Sequence, residues 1–142
     1  MEKTFAGIAH PWLCDAMGHL NTRHYVALFD DATHVVLTRL GYSFRLAPVT
    51  QVGWADVRNE IDYLLEVPKG SVVEIYSGIT RLGTKSLTIR SEMRDVETAR
   101  VHARLKAILV HFDLQARKAL PLTSEIRQRA AGLMIPDDGT ET

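Results

Sequence analysis

The hydrophobic pattern changes its period near residue 50, dividing the chain into a helical part and a sheet part. Residues 3–9 read as a short first strand. His10-Pro11 ends it, because proline biases its predecessor away from helix and has no amide to give a ladder. Residues 11–20 show no period and predict a loop. From Thr22 to Leu40 the apolar positions Tyr25, Leu28, Phe29, Ala32, Val35, Val36 and Leu40 recur at helical spacing, which predicts one long helix with a continuous stripe. Asn21 or Thr22 stands where a cap starts the helix, and Gly41 where a left-handed residue ends it.

After a linker over 43–50 the period becomes two. Val57, Asn59, Ile61, Tyr63, Leu65 and Val67 alternate with Arg58, Glu60, Asp62, Leu64 and Glu66, as in a strand. Pro68-Lys69-Gly70 predicts a turn into a strand over 72–82, Gly83-Thr84 a turn into 86–94, and Asp95–Thr98 a turn into 100–112. Four consecutive strands with short turns predict an antiparallel meander. Residues 123–132 predict a short helix capped by Thr123 or Ser124. The order of strand, helix and four strands predicts an α+β domain in which the helix lies across the sheet. One domain over 1–135 is expected, followed by a flexible tail over 136–142, Pro-Asp-Asp-Gly-Thr-Glu-Thr. Long strands leave edges that need cover, so a homodimer or homotetramer is expected.

Composition narrows the partners. The chain has 142 residues, enough for one domain with a real core. Its 17 basic side chains balance 17 acidic ones, so no net field recruits nucleic acid or an anionic membrane. No apolar run is long enough to span a bilayer, and the start, Met1-Glu2-Lys3-Thr4-Phe5, lacks a signal-peptide layout. Cys14 is the only cysteine, which excludes an intrachain disulfide and fits a reducing cytoplasm.

Candidate chemistry concentrates in Asp15-Ala16-Met17-Gly18-His19-Leu20-Asn21-Thr22-Arg23-His24-Tyr25. Here a carboxylate, a glycine and a histidine precede a helix start. Unpaired amides and positive potential at such a start suit an oxygen that gains negative charge. A carboxylate nearby can attack a carbonyl or direct a water at it. This layout suits acyl hydrolysis without serine, cysteine or metal. The chain has no Gly-x-Ser-x-Gly elbow and no Gly-rich nucleotide loop.

The stretch, continued through Tyr25, Phe29 and Ala32, resembles the Asp-x-x-Gly-His-x-Asn-x-x-x-Tyr-x-x-x-Phe pattern of hotdog-fold acyl-CoA thioesterases of the 4-hydroxybenzoyl-CoA thioesterase type. The likeness runs over about residues 3–130, with only the motif specific. Asp31-Ala32-Thr33 and the closing Lys118-Ala119-Leu120-Pro121-Leu122 are most similar to the betainyl-CoA thioesterase branch. The resemblance implies a long central helix wrapped by an antiparallel sheet, with Asp15 as nucleophile or general base. It also implies that Gly18 lets the loop approach substrate, that the Thr22 amide polarises the thioester carbonyl, and that no cofactor is needed. Many relatives carry a second aspartate two residues before the catalytic one, where this chain has Leu13.

Each residue also has a plainer reading. Asp15 suits an Asx turn. His19 either lines the site and orients the carboxylate, moves a proton, or fixes the loop by hydrogen bonding. Asn21 is divided between a cap and a substrate contact. Tyr25 and Phe29 belong by default to the core, with acyl contact as the second reading. Arg81, Lys85 and Arg90 gather near the Gly83 turn, either as a solvated turn or, as the resemblance implies, as partners of coenzyme A phosphates. Asp30, Asp31 and His34 read as a solvated or interface face rather than a metal site, and Cys14 as structural. The functional expectation is hydrolysis of an acyl-CoA to coenzyme A and a free acid. The alternative is a noncatalytic acyl-CoA-binding or assembly module on the same fold. A hydratase reading lacks the paired Asp and His motif it needs.

Overall fold

The computed structural model of the protein describes residues 1–139, so the end of the expected tail, 140–142, lies outside the described residues. The helical stripe folds as its spacing predicts. A 3-10 turn, Thr22–His24, leads directly into α1, Tyr25–Arg39. Tyr25, Phe29, Ala32, Val36 and Leu40 form its buried stripe, and Gly41 follows with a φ of 91°.

The strands are β1 Glu2–Ile8, β2 Val52–Tyr63, β3 Val72–Leu82, β4 Ser86–Asp95, β5 Val101–Asp113 and a two-residue β6, Lys118–Ala119. They form one antiparallel sheet in the order β1-β3-β4-β5-β2, with β6 added on β5. A four-residue helix α2, Ala47–Thr50, occupies the expected linker, and α3, Ser124–Ala130, follows β6. Thr123 is the residue that caps α3, accepting from the Ile126 amide at 3.2 Å. The architecture is an α+β hotdog fold, with the curved sheet wrapped around α1. No helix among the described residues is long and apolar enough to cross a membrane.

The four-strand meander requires correction. β3, β4 and β5 form consecutive hairpins, but β2 pairs with β5 and not with β3. Pro68-Lys69-Gly70 does turn into β3, with the Ser71 amide donating to the Pro68 carbonyl at 3.1 Å, but it ends a connection that crosses the end of the sheet rather than a hairpin. The strand also spans 52–63 rather than 57–67. Leu64 and Leu65 keep the alternation yet both donate their amides to one acceptor, the His102 carbonyl, at 2.9 and 3.1 Å. Two successive amides sharing one carbonyl cannot continue a ladder, so the chain bends away there. The alternation also overstates the inward face, since Val57 and Tyr63 are exposed and the register shifts between Asp56 and Arg58, and it carries no information about which strand is the partner.

The inner faces of β3, β4 and β5 supply Val73, Ile75, Ile79, Leu87, Ile89, Met93, Leu105 and Leu109 to the core. Three hydroxyls sit among them. Ser77 lies 2.7 Å from Ser91 and 2.9 Å from Thr4, and Thr4 donates to the Ile75 carbonyl at 3.2 Å, so this buried polar chain is closed on itself.

The described part of the C-terminal segment lies along the sheet. β1 pairs with β3 only as far as Ser77, and Met134 takes up a parallel bridge to Ile79 just beyond.

Candidate active site

Residues 14–20 close into a small loop on the connection that crosses the sheet end. Cys14 bridges to Leu20, and the Asp15 amide donates to the His19 carbonyl at 2.9 Å. Gly18, at a φ of 79°, donates to the Asp15 carbonyl at 3.1 Å, so the turn needs the left-handed conformation that glycine adopts freely. The second layer is the connection itself. The Leu20 amide donates to the Val67 carbonyl and the Lys69 amide to the Gly18 carbonyl, both at 2.8 Å. Val67, beneath the loop, is fully buried.

Within this loop Asp15 is half-buried. Its Oδ1 accepts from the Met17 amide at 2.9 Å and the His19 amide at 3.3 Å, while its Oδ2 has no donor among the described residues. One oxygen is thus held in an Asx turn and the other is left open. His19 lies 3.2 Å through Nε2 from Glu66, an exposed carboxylate that sequence reading did not single out. Tyr25 is buried below, edge-on to Tyr63 at 5.0 Å. Burial raises its phenol above the ordinary value, and Tyr63, Glu66 and Asp15 push the same way, whereas the Val67 backbone opposes them. Asp15, His19, Glu66, Tyr25 and Tyr63 therefore share one neighbourhood.

The start of α1 follows the loop directly. The Asn21 amide donates to the Leu13 carbonyl at 2.9 Å, and the Asn21 side chain accepts from the Arg23 amide at 3.1 Å, so Asn21 caps. The Thr22 amide, the next donor, has no acceptor among the described residues. The His24 Nε2 is buried without a partner among them.

The remaining candidates fall elsewhere. Arg81 and Lys85 are exposed at the far end of β3, whose nine steps from Val72 to Arg81 cover about 30 Å. One chain does not bring them to Asp15. Their turn is held by Arg127, which donates to the Gly83 carbonyl at 2.7 Å. Arg90 does not belong to that turn; it sits within β4, paired with Asp138 at 2.9 Å. Cys14 points its thiol at the His10 carbonyl, 3.3 Å away. His34 pairs with Asp30 at 3.6 Å on the exposed flank of α1. Sequence reading missed Glu66, Val67 and His102, because their role depends on the crossing connection and not on any local pattern.

The family model described as the thioesterase-like superfamily matches residues 9–130, and the chain belongs to that superfamily. No curated protein is similar enough to count as a match. Among solved structures, a Staphylococcus aureus protein in complex with CoA superposes with a TM-score of 0.84 at 14% identity, over 94% of this chain and 85% of that one. A predicted thioesterase from Bacillus stearothermophilus gives 0.79 at 24% identity, over 93% and 97%. A 1,4-dihydroxy-2-naphthoyl-CoA thioesterase from Synechocystis gives 0.80 at 18% identity, over 91% and 95%. At these identities the likeness is one of fold.

Proposed function

We propose that the protein is an acyl-CoA thioesterase, working as a homodimer or homotetramer, with Asp15 as its reactive carboxylate. The observation that carries this reading is the asymmetry of that side chain: two loop amides hold Oδ1, and Oδ2 is left without a donor. A carboxylate fixed by one oxygen presents the other in a constant direction. The Thr22 amide supplies the donor toward which a thioester carbonyl would turn, and a helix start stabilises the oxyanion formed there.

Two routes use the same geometry. In the first, Oδ2 attacks the thioester carbon and expels the coenzyme A thiolate. Water then cleaves the resulting anhydride, giving the free acid and restoring Asp15. In the second, Oδ2 takes a proton from water as that water attacks, and the proton passes to the departing thiolate. His19, hydrogen-bonded between loop and Glu66, is a positioning residue in both.

The test is thiol release from a panel of acyl-CoA thioesters, betainyl-CoA and hydroxylated aromatic acyl-CoAs among them. Turnover that Asp15→Asn abolishes supports the reading. Tight binding of an acyl-CoA with no thiol release by the wild type replaces it with a noncatalytic binding module. Single turnover in 18O water identifies an anhydride that water opens at the Asp15 carboxyl carbon, since the first product then carries an enzyme oxygen and Asp15 the label; trapping the anhydride with hydroxylamine identifies one opened at the acyl carbon.

A further inference from the structure

Arg90 of β4 and Lys106 of β5 are direct cross-strand partners on the face of the sheet opposite the core. Like charges in that register repel. The surrounding carboxylates, Glu60 and Asp62 of β2 and Glu92 of β4, answer it only in part. Glu60 is the cross-strand partner of Lys106 on β2, but its carboxylate pairs with Arg58 at 2.6 Å. Glu92 is shared by three guanidinium groups, Arg94 at 2.8 Å, Arg104 at 3.4 Å and Arg90 at 3.8 Å. Lys106 forms no ion pair with a described residue.

What answers this charge is the C-terminal segment. The partner of Arg90 on β3 is Gly78, so that row begins with a notch instead of a side chain. Ile135 fills the notch: a Cβ on Gly78 would stand 2.6 Å from its methyl group. Its amide donates to the Ile79 carbonyl at 2.9 Å. Anchored there, the chain carries Asp138 to Arg90 at 2.9 Å, and Asp137 and Gly139 join Arg58, Arg104 and Lys106, with Glu60 and Asp62 on the β2 side, around a cavity of about 530 Å³.

We propose that this cavity is a seat for a phosphate dianion, and that the segment 136–139 is its built-in competitor. A phosphate brings two charges and three acceptor oxygens to guanidinium groups whose fork matches it, where Asp138 brings one charge. The Asp138 side chain is 56% exposed, so its contact is screened by water and salt and releases readily. Ile135, hydrogen-bonded to the sheet edge, holds the competitor nearby at high effective concentration. At rest Asp138 thus occupies the Arg90 guanidinium at the cavity wall, and it gives way when a stronger anion arrives.

Calorimetric titration with inorganic pyrophosphate at constant ionic strength tests this without any reference to thioester hydrolysis. A chain ending at Ile135 is expected to bind pyrophosphate about tenfold more tightly than the full chain, corresponding to an Arg90 held by Asp138 about nine-tenths of the time. The pair Asp137→Asn and Asp138→Asn is expected to give most of that gain while leaving Ile135 in its notch, which keeps the test valid if truncation disturbs folding. Arg90→Gln or Lys106→Gln in the released chain is expected to remove it. Equal affinity of full and released chains, or a gain that survives both Arg90→Gln and Lys106→Gln, overturns the proposal. Competition then assigns the source of the anion: displacement of pyrophosphate by coenzyme A but not by its form lacking the 3′-phosphate points to a nucleotide ligand. Displacement by neither points to a free phosphate anion.

Discussion

His102 Nδ1 lies 2.7 Å from the carbonyl oxygen of Glu66, a contact that ties β5 to the connection beneath the Asp15 loop. A carbonyl only accepts, so Nδ1 carries the proton. The same residue's backbone carbonyl takes both the Leu64 and Leu65 amides. Glu66 in turn faces His19, and Val67 and the loop are joined at Leu20. His102→Leu stays close to the side-chain volume and removes the donor. It is expected to cost about 0.5–1.5 kcal/mol by urea unfolding, the range for losing one hydrogen bond whose acceptor water can reach. Thiol release should also fall, because the loop loses its support. An unfolding midpoint equal to wild type would show that the contact holds nothing in place.

Asp15→Asn separates charge from shape. The amide oxygen of Asn still accepts from Met17 and His19, so the Asx turn and the unfolding midpoint are expected to stay as they are. The rate constant kcat is expected to drop at least about a hundredfold, the scale for losing a positioned base or nucleophile. Near-normal turnover by this variant removes Asp15 from the mechanism.

Arg81 and Lys85 lie a full strand length from Asp15 in one chain, so a role for them requires a second copy. Mixing an Asp15→Asn chain with an Arg81→Ala, Lys85→Ala chain is then expected to raise the rate at acyl-CoA concentrations far below the second variant's KM, through hybrid dimers holding one intact site. Arg81→Ala, Lys85→Ala alone is expected to raise KM for acyl-CoA with kcat nearly unchanged, as loss of uniform binding does. An unchanged KM returns both residues to the role of a solvated turn.

The buried hydroxyl chain orders its own variants. Ser77 is the middle member, touching both Ser91 and Thr4, whereas Ser91 has Ser77 as its side-chain partner. Ser77→Ala is therefore expected to cost more than Ser91→Ala, about 1–3 kcal/mol against about 1 kcal/mol or less. Chemical denaturation of the two variants checks the order.

Asp95 gives stability a pH dependence. The Thr98 amide donates to it at 2.9 Å and holds the carboxyl below its ordinary range, although burial pushes the other way. A lowered folded value means that the contribution is complete above the unfolded carboxylate value, about 3.9, and is lost as pH falls through the folded one. Asp95→Asn is expected to cost about 1 kcal/mol near neutral pH. Its difference from wild type should shrink in urea unfolding below about pH 4.

Much of this was legible in the residues, and the failures share a cause. The helix from Tyr25 was plain because Phe29, Ala32, Val36 and Leu40 repeat at its own period. Strands β3, β4 and β5 were plain because each follows its partner after a short turn. The Asp15 loop was legible from local chemistry, with Gly18 where a left-handed residue is needed. The pairing of β2 was not, since Tyr63 meets Ala103 and nothing near Tyr63 announces it. Glu66 and His102 were missed for the same reason. Asp138 looked like tail, because its partner Arg90 lies far back in the chain.

That long-range pairing bears on how the protein reaches its native state. β3, β4 and β5 can zip as successive hairpins, but Val52 must wait for Asp113 to be made and placed. Contacts distant in sequence pay for loop closure before they return anything, and so they come late. The Asp15 loop rests on the connection that leaves β2, so it belongs with the last structure to consolidate and the first to open. Amide exchange should find its protection at Leu20 and Lys69 lower than at Ile89. Activity on refolding should then trail the recovery of the β-sheet signal.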